Sequence, residues 1–343
     1  MYIKKNKMDH SKVLGSQIKD KNDLKHYLQI NNLLSLSIKI QAHKNTDQLL
    51  RLSDTIRTQA SLEPSLGIAL TMHHHIVLVL AKFPDIFENA QEILTKVLND
   101  EYLIASAFAE GKAGVNIFNP SSSIDIKDNI IRLNGSKKPC TLSSIADYYV
   151  MSTVLNGKLT LINLSAKQEG ISIQPFWNLE IFKYCDSNEL VFNNVIISEH
   201  QYCHLNNDEL SLCLIYGLSL FNYLVVSAYI GISDIFIKMV PESLRSLTGI
   251  KMKLIEFQKI NDVLLLQMNS ICSKERLFED DLSCILNLRY LVENNLQQMK
   301  NYILDNIGGI EIMKNPIILN LNNHLEMLKY HPTGRFQYYN QFV

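Results

Sequence analysis

Hydrophobic spacing along this sequence changes period twice, and few folds accept that order. Over the first hundred residues apolar side chains recur at helical intervals. Segment 46–60 sets Leu49, Leu50, Leu52 and Ile56 on one helical face. Pro64 suits the first turn of a helix with Leu66, Leu70, His74 and Leu78 along one side, and Pro84 stops it. Segment 86–98 is a third amphipathic piece. After Asn99 short β-branched and aromatic runs appear at 104–108, 124–126, 130–134, 148–155, 159–164, 171–173 and 190–197. Asp128-Asn129 and Asn156-Gly157 are hairpin signals between alternating runs. Strands this close together predict an antiparallel sheet or barrel, because βαβ units need room for a crossover helix. Beyond about His204 the helical period returns, at 210–240, 249–273, 275–307 and 316–329. The expected architecture is α+β, mainly α: an N-terminal helical domain over 1–99, a central antiparallel β-domain over 100–203, and a C-terminal four-helix bundle over 204–343.

Composition narrows the function classes. Formal net charge is −1 with both signs interspersed, so nucleic acid is not an expected partner. The lysine-rich start, 1–12, lacks the apolar core of a signal peptide. Six cysteines form no C-x-x-C pair, which reads as free thiols in a reducing, cytoplasmic setting without a metal. Residues 210–233 are 24 positions without a charge, long enough to span a bilayer. Asn222 beside Tyr223 interrupts the run, and Asp234 and Lys238 continue its pattern without a flanking basic cluster. A helix buried in a soluble bundle is the expectation.

Three stretches have the residue types that chemistry needs. In Ala105-Ser-Ala-Phe108-Ala109-Glu110-Gly111-Lys-Ala-Gly114-Val-Asn116, glycines follow a strand and let a planar or phosphorylated ligand approach the backbone; a plain strand-to-turn exit fits equally. In Leu133-Asn-Gly-Ser-Lys-Lys-Pro-Cys140-Thr141, a hydroxyl follows a strand and could bond a heteroaromatic nitrogen, or belong to a surface loop. Gly308-Gly309, between late helices, either offers backbone N–H groups to a phosphate or simply ends a helix; Tyr330-His331-Pro332 closes the last helix. His73-His74-His75 cannot converge on one ion, since consecutive helical residues point about 100° apart; His74 is expected to face inward. Trp177 either packs beneath the β-domain or flanks a substrate mouth.

Taken in this order, over roughly 45–335, these stretches resemble the acyl-CoA dehydrogenase superfamily. Its T-E-P-x-x-G-S-D motif falls on Ala109-Glu110-Gly111 through Gly114-Val115-Asn116, where Glu110 and a glycine match. Its NG-x-K-x-W-I-T tract falls on Asn134-Gly135-Ser136-Lys137-Lys138-Pro139-Cys140-Thr141, with Pro139 in place of the aromatic that covers the flavin. The resemblance implies an FAD site built from Phe108, Ala109, Gly114, Cys140 and Thr141, the last reaching flavin N5. It also implies that Gly308 and Gly309 approach a neighbouring subunit's flavin in a homodimer or homotetramer. The usual glutamate base is missing: its late position falls at His331 or Pro332, and the alternative near Phe221-Asn222. His331 resembles a histidine near the flavin in the monooxygenase branch, where imidazole can serve oxygen chemistry or exchange protons near neutral pH.

Three readings follow. The first is α,β-dehydrogenation of an acyl thioester, carried on coenzyme A or an acyl carrier protein, with FAD, an electron acceptor, and His331 as the remaining catalytic candidate. The second keeps the fold but uses reduced FMN or FAD, supplied by a flavin reductase, to hydroxylate a substrate. The third is a non-catalytic partner subunit.

Overall fold

The computed structural model describes residues 18–41, 47–112, 117–128, 130–177, 179–331 and 334–335. Five helices come first: α1 (Lys21–Ile30), α2 (Leu36–Gln41), α3 (Asp47–Ala60), α4 (Pro64–Lys82) and α5 (Ala90–Leu98). Asp20 caps α1 by accepting from the backbone N–H of Asn22 and Asp23, and Pro64 opens α4 where its missing N–H costs nothing. Seven strands follow: β1 (Ile104–Ser106), β2 (Ser123–Lys127), β3 (Ile130–Cys140), β4 (Tyr148–Leu155), β5 (Lys158–Ser165), β6 (Ile171–Gln174) and β7 (Asn188–Ile197). The helical region then runs α6 (Asn207–Lys238), α7 (Glu242–Arg245), α8 (Thr248–Cys272), α9 (Glu279–Ile307), α10 (Gly309–Lys314) and α11 (Pro316–Glu326).

The sheet corrects one expectation. It is mixed, in the order β1-β4-β2-β3-β7-β6 with β5 on β4. The pairs β2–β3, β4–β5, β3–β7 and β6–β7 are antiparallel, but β4 lies parallel to both β1 and β2. The β2–β3 hairpin is an insertion that lets the chain cross over and re-enter beside β1 in the same direction, so it replaces the crossover helix for which the close spacing leaves no room. The Asn156-Gly157 turn has the two positive φ values, 50° and 75°, that a tight hairpin needs.

Helix α6 is the centre of the molecule. It packs on α3, α4, α8, α9 and α11, so it is apolar all round and the uncharged run is core. Both α4 and α6 are long and apolar enough to cross a membrane, and both lie almost wholly buried among other elements. Where α3 crosses α6 the backbones nearly touch: a Cβ at Gly231 would collide with the Arg57 carbonyl and crowd Ala60. The Asn206 side chain accepts from the N–H of Asp208 and Glu209, and Glu209 bonds back to Asn206, so α6 starts where the charges resume.

Candidate active site

Two polar clusters are built from the stretches that the motifs single out. The first joins the two motif tracts. Glu110, just past β1, accepts a bond of 2.5 Å from Lys137 Nζ on β3, and both side chains are fully buried. It also accepts from the backbone N–H of Ser121 at 2.8 Å and Ser122 at 3.2 Å, and from both hydroxyls. Burial alone would raise the Glu110 carboxyl, but Lys137 and Ser121 outweigh it and bring it down to about 2. Glu110 and Lys137, one letter from each motif tract, are therefore an ionic latch, not exposed catalytic groups.

The second cluster lies where α4, β1, β3, α6 and the residues after α11 meet. His331 Nε2 lies 2.7 Å from the Tyr229 hydroxyl on α6, and its ring centroid is 6.1 Å from that of Phe221. Phe221 in turn is 5.4 Å from the ring of His75 on α4, whose Nε2 is 3.2 Å from Ser106 Oγ on β1. The Ser106 carbonyl takes the Cys140 thiol at 3.9 Å. Contacts thus run unbroken from the end of β3 to the end of the last helix. The two positions where the resemblance places a base, 221–222 and 331, come together here, and neither is a carboxylate.

Arg289 of α9 ties this cluster together. Fully buried, it donates to Asn222 Oδ1 at 3.0 Å and to the carbonyls of Leu328 and His331 at 2.8 Å each. Burial pushes the His331 imidazole down to about 3, with the Arg289 cation adding to the effect, so the ring is neutral at physiological pH. Burial likewise holds the Tyr229 phenol well above its ordinary range and the Cys140 thiol above its own. Every group facing the cluster from these residues, apart from Arg289, is uncharged.

No family model matches the sequence. A curated relative, isobutylamine N-hydroxylase of Streptomyces viridifaciens, is 28% identical over 298 residues, covering 82% of this chain and 79% of that protein. FMN-bound TdsC from Paenibacillus sp. A11-2, a dibenzothiophene monooxygenase, superposes with a TM-score of 0.76 at 12% identity over 96% of this chain and 92% of its own. Butyryl-CoA dehydrogenase from Megasphaera elsdenii also superposes with a TM-score of 0.76, at 13% identity over 93% and 88% of the two chains. The chain has the acyl-CoA dehydrogenase fold.

Within that acyl-CoA dehydrogenase fold the expected site residues fall in different places. Cys140 is buried in the cluster. Thr141, also buried, shares a 3.0 Å bond with Ser187 and keeps capacity for a second partner. Phe108 is half-buried against the α4–α5 core, and the Ala109 carbonyl accepts from Lys138 N at 2.7 Å. Gly114 and Pro332 lie outside the described residues. Gly308 and Gly309 are exposed, 18 helical residues beyond Arg289 on α9, hence roughly 27 Å along the axis. They take no part in this cluster. Trp177 donates to the Ile181 carbonyl, in a loop and not in the cluster. All three of His73, His74 and His75 are buried, not His74 alone, because α4 is packed on every side. Among the described residues no group of His, Cys, Asp and Glu could hold a metal.

Sequence reasoning missed Tyr229, Arg289, His75 and Ser106. Arg289 had a signal: it is the lone charge in 285–292, a run apolar but for Asn287, and a buried charge must find partners. Tyr229 sits seven residues, two turns, from Asn222 and so shares its face. The His75–Ser106 pair joins a helix to a strand and leaves no trace in spacing.

The donor set fits a planar, neutral heteroaromatic ring. The Ser106 and Thr141 hydroxyls stand beside the strand-end backbone of β1 and β3, and an uncharged imidazole–phenol pair closes the other end of the contact chain. The nearest carboxylate, Asp186, is taken up by Ser143 and Ser144. That is the chemistry a flavin ring requires, and Thr141, Cys140, Ser106 and Ala109 would hold it.

Proposed function

We propose that this protein is a reduced-flavin-dependent monooxygenase, using FMN or FAD, that hydroxylates the nitrogen of a small apolar amine. One observation carries the choice: the place for a base is filled by His331, a neutral imidazole pushed down to about 3. Removing a proton α to a thioester calls for a base poised near the working pH, and so weak a base gives little driving force. Neutral hydrogen-bonding groups in a dry cleft instead suit the insertion of oxygen, where water and stray protons are the hazard. The likeness to an amine N-hydroxylase supports the same choice.

When bound in reduced form, flavin supplies the activation of dioxygen. The balance is simple: one oxygen atom enters an N–H bond to give a hydroxylamine, and the other leaves as water with the two electrons and two protons of the reduced flavin. His331 and Tyr229 hold each other by one hydrogen bond, and as neutral groups they orient the site without leaving a charge in it. Arg289 fixes the backbone on which His331 sits. Phe221 and Tyr229 form an apolar wall, so the amine enters as the free base. A flavin reductase is the partner this reading requires. Exposed Met252, Val263 and Leu266 on α8 and Met313 on α10 call for cover, consistent with a homodimer or homotetramer. Free cysteines throughout fit the cytoplasm.

The test is incubation with isobutylamine, a flavin reductase, NADH and FMN or FAD, following oxygen uptake and hydroxylamine. Stoichiometric hydroxylamine supports the reading. Desaturation of an acyl thioester with an artificial electron acceptor, and no oxygen-dependent product, would transfer the assignment to a dehydrogenase. Failure to bind either flavin, oxidised or reduced, would leave a non-catalytic partner subunit.

A further inference from the structure

The His75–Ser106 pair has a direction that the geometry fixes. His75 Nδ1 lies 2.8 Å from the Thr71 carbonyl, one turn earlier on α4. A carbonyl oxygen only accepts, so Nδ1 carries the proton. Buried among α4, α6 and β1, the ring is neutral and has only that one N–H. Its Nε2 is then a bare lone pair, and at 3.2 Å the Ser106 hydroxyl must donate to it. With its single proton committed to His75, Ser106 offers nothing but lone pairs to anything else it meets. Ser106 is half-buried, its carbonyl receives the Cys140 thiol, and its imidazole partner touches Phe221, so this oxygen belongs to the neutral cluster and is not sealed within the core.

We propose that His75 is a positioning residue that makes Ser106 a one-way acceptor in the cluster, and that this acceptor selects reduced over oxidised flavin. The inference rests on the flavin reading above and adds a selectivity to it. Reduced isoalloxazine carries N–H donors where the oxidised ring has unprotonated nitrogens. An acceptor that cannot turn round to donate rewards the first and opposes the second. The consequence is a protein that takes up flavin already reduced and releases it after oxidation.

Two measurements test this on the full chain. The first compares dissociation constants for reduced FMN (anaerobic) and oxidised FMN in wild type, Ser106→Ala, His75→Phe and the double variant. Wild type should prefer reduced FMN, and Ser106→Ala should erode that preference roughly five- to tenfold, the usual weight of one hydrogen bond. His75→Phe should erode it similarly, and the double variant no further, because His75 acts through Ser106. The second is nitrogen-15 NMR of histidine-labelled protein without flavin, which should show His75 in the Nδ1–H tautomer. An unchanged preference in Ser106→Ala, or an Nε2–H tautomer, overturns the proposal even if His75→Phe does not fold. Wild type that binds neither form of FMN overturns the flavin reading itself, a result separable from the first two.

Discussion

Strand β3 carries Lys137 into one buried polar cluster and, three residues later, Cys140 into another. The first is ionic and closed: Glu110 spends both oxygens on Lys137, Ser121 and Ser122. The second is neutral apart from Arg289, and its hydroxyls and rings keep spare bonding capacity. Charges bought into a core need complete pairing, and complete pairing leaves nothing for a ligand. Neutral groups can be buried with a valence free. Two of the motif letters, Glu110 and Lys137, therefore build scaffold, while Thr141 and the residues around His331 keep capacity for a ligand.

Acid should separate the two clusters by the widest margin. In the neutral cluster His75 is held at about 4 and His331 at about 3, chiefly by burial, against an ordinary 6.5. His73, on α4 but bonded to Leu34 and Ile104 outside the cluster, is also held at about 4. A depressed native pKa means that the stability is complete above 6.5 and drains away as pH falls toward 4 and then 3. At about 1.4 kcal/mol per unit, each of His73 and His75 withdraws roughly 3 kcal/mol by pH 4. Glu110, brought down to about 2 from 4.5, keeps its full contribution above pH 4.5 and loses it only between there and 2. Urea midpoints should drop steeply between pH 6.5 and 4, and Glu110→Gln should leave the shape of that limb unchanged. A limb that vanished with Glu110 would assign the acid sensitivity to the latch instead.

Breaking the latch at neutral pH should come next in size. Lys137→Met leaves the Glu110 carboxylate buried without its cation, a loss of about 3–5 kcal/mol. Adding Glu110→Gln should recover part of it, because an amide tolerates burial better than an unpaired charge. Equilibrium unfolding gives both numbers. Since both Glu110 oxygens are taken up within the protein, the molecules that remain folded should turn over at the wild-type rate.

The same contrast explains what could be read in the sequence. Element order was legible because burial imposes a period: every strand from 104 to 197 and each long helix lay where spacing put it. Strand direction was not, since the β2–β3 insertion changes topology without changing period. Cys140 and His331 were reachable through resemblance, and their convergence was not, because it depends on how α4, α6 and the segment after α11 fold back. Glu110 and Lys137 were both seen as motif letters, but two letters 27 positions apart do not announce an ion pair.

In the neutral cluster, His331→Asn should lower hydroxylamine formation roughly tenfold, the weight of a buried hydrogen bond that orients the site. Tyr229→Phe removes only the partner of that imidazole and should cost about tenfold or less. Neither should shift the urea midpoint as far as Lys137→Met does. Single-turnover measurements with pre-reduced flavin keep reductase supply from masking the difference. Equal loss in stability and turnover for His331→Asn would place it with the latch, as scaffold.

The smallest effects belong to Gly308 and Gly309, which lie in neither cluster. Gly308 has φ of 82°, where a side chain is strained, so Gly308→Ala should cost about 1 kcal/mol. Gly309 begins α10 without a positive φ, and a Cβ there meets nothing within 4 Å, so Gly309→Ala should stabilise the chain by about 0.4–1 kcal/mol. Neighbouring alanines thus move stability in opposite directions for reasons internal to one chain. Flavin retention is the sharper readout, because the resemblance sets this pair against a neighbouring subunit's flavin. On that arrangement Gly309→Ala raises the melting temperature yet loosens flavin several-fold, since the methyl fills space that is open only in the isolated chain. A stabilised Gly309→Ala protein with unchanged flavin affinity would reduce the pair to the punctuation between α9 and α10, and would confine the site to the residues around His331.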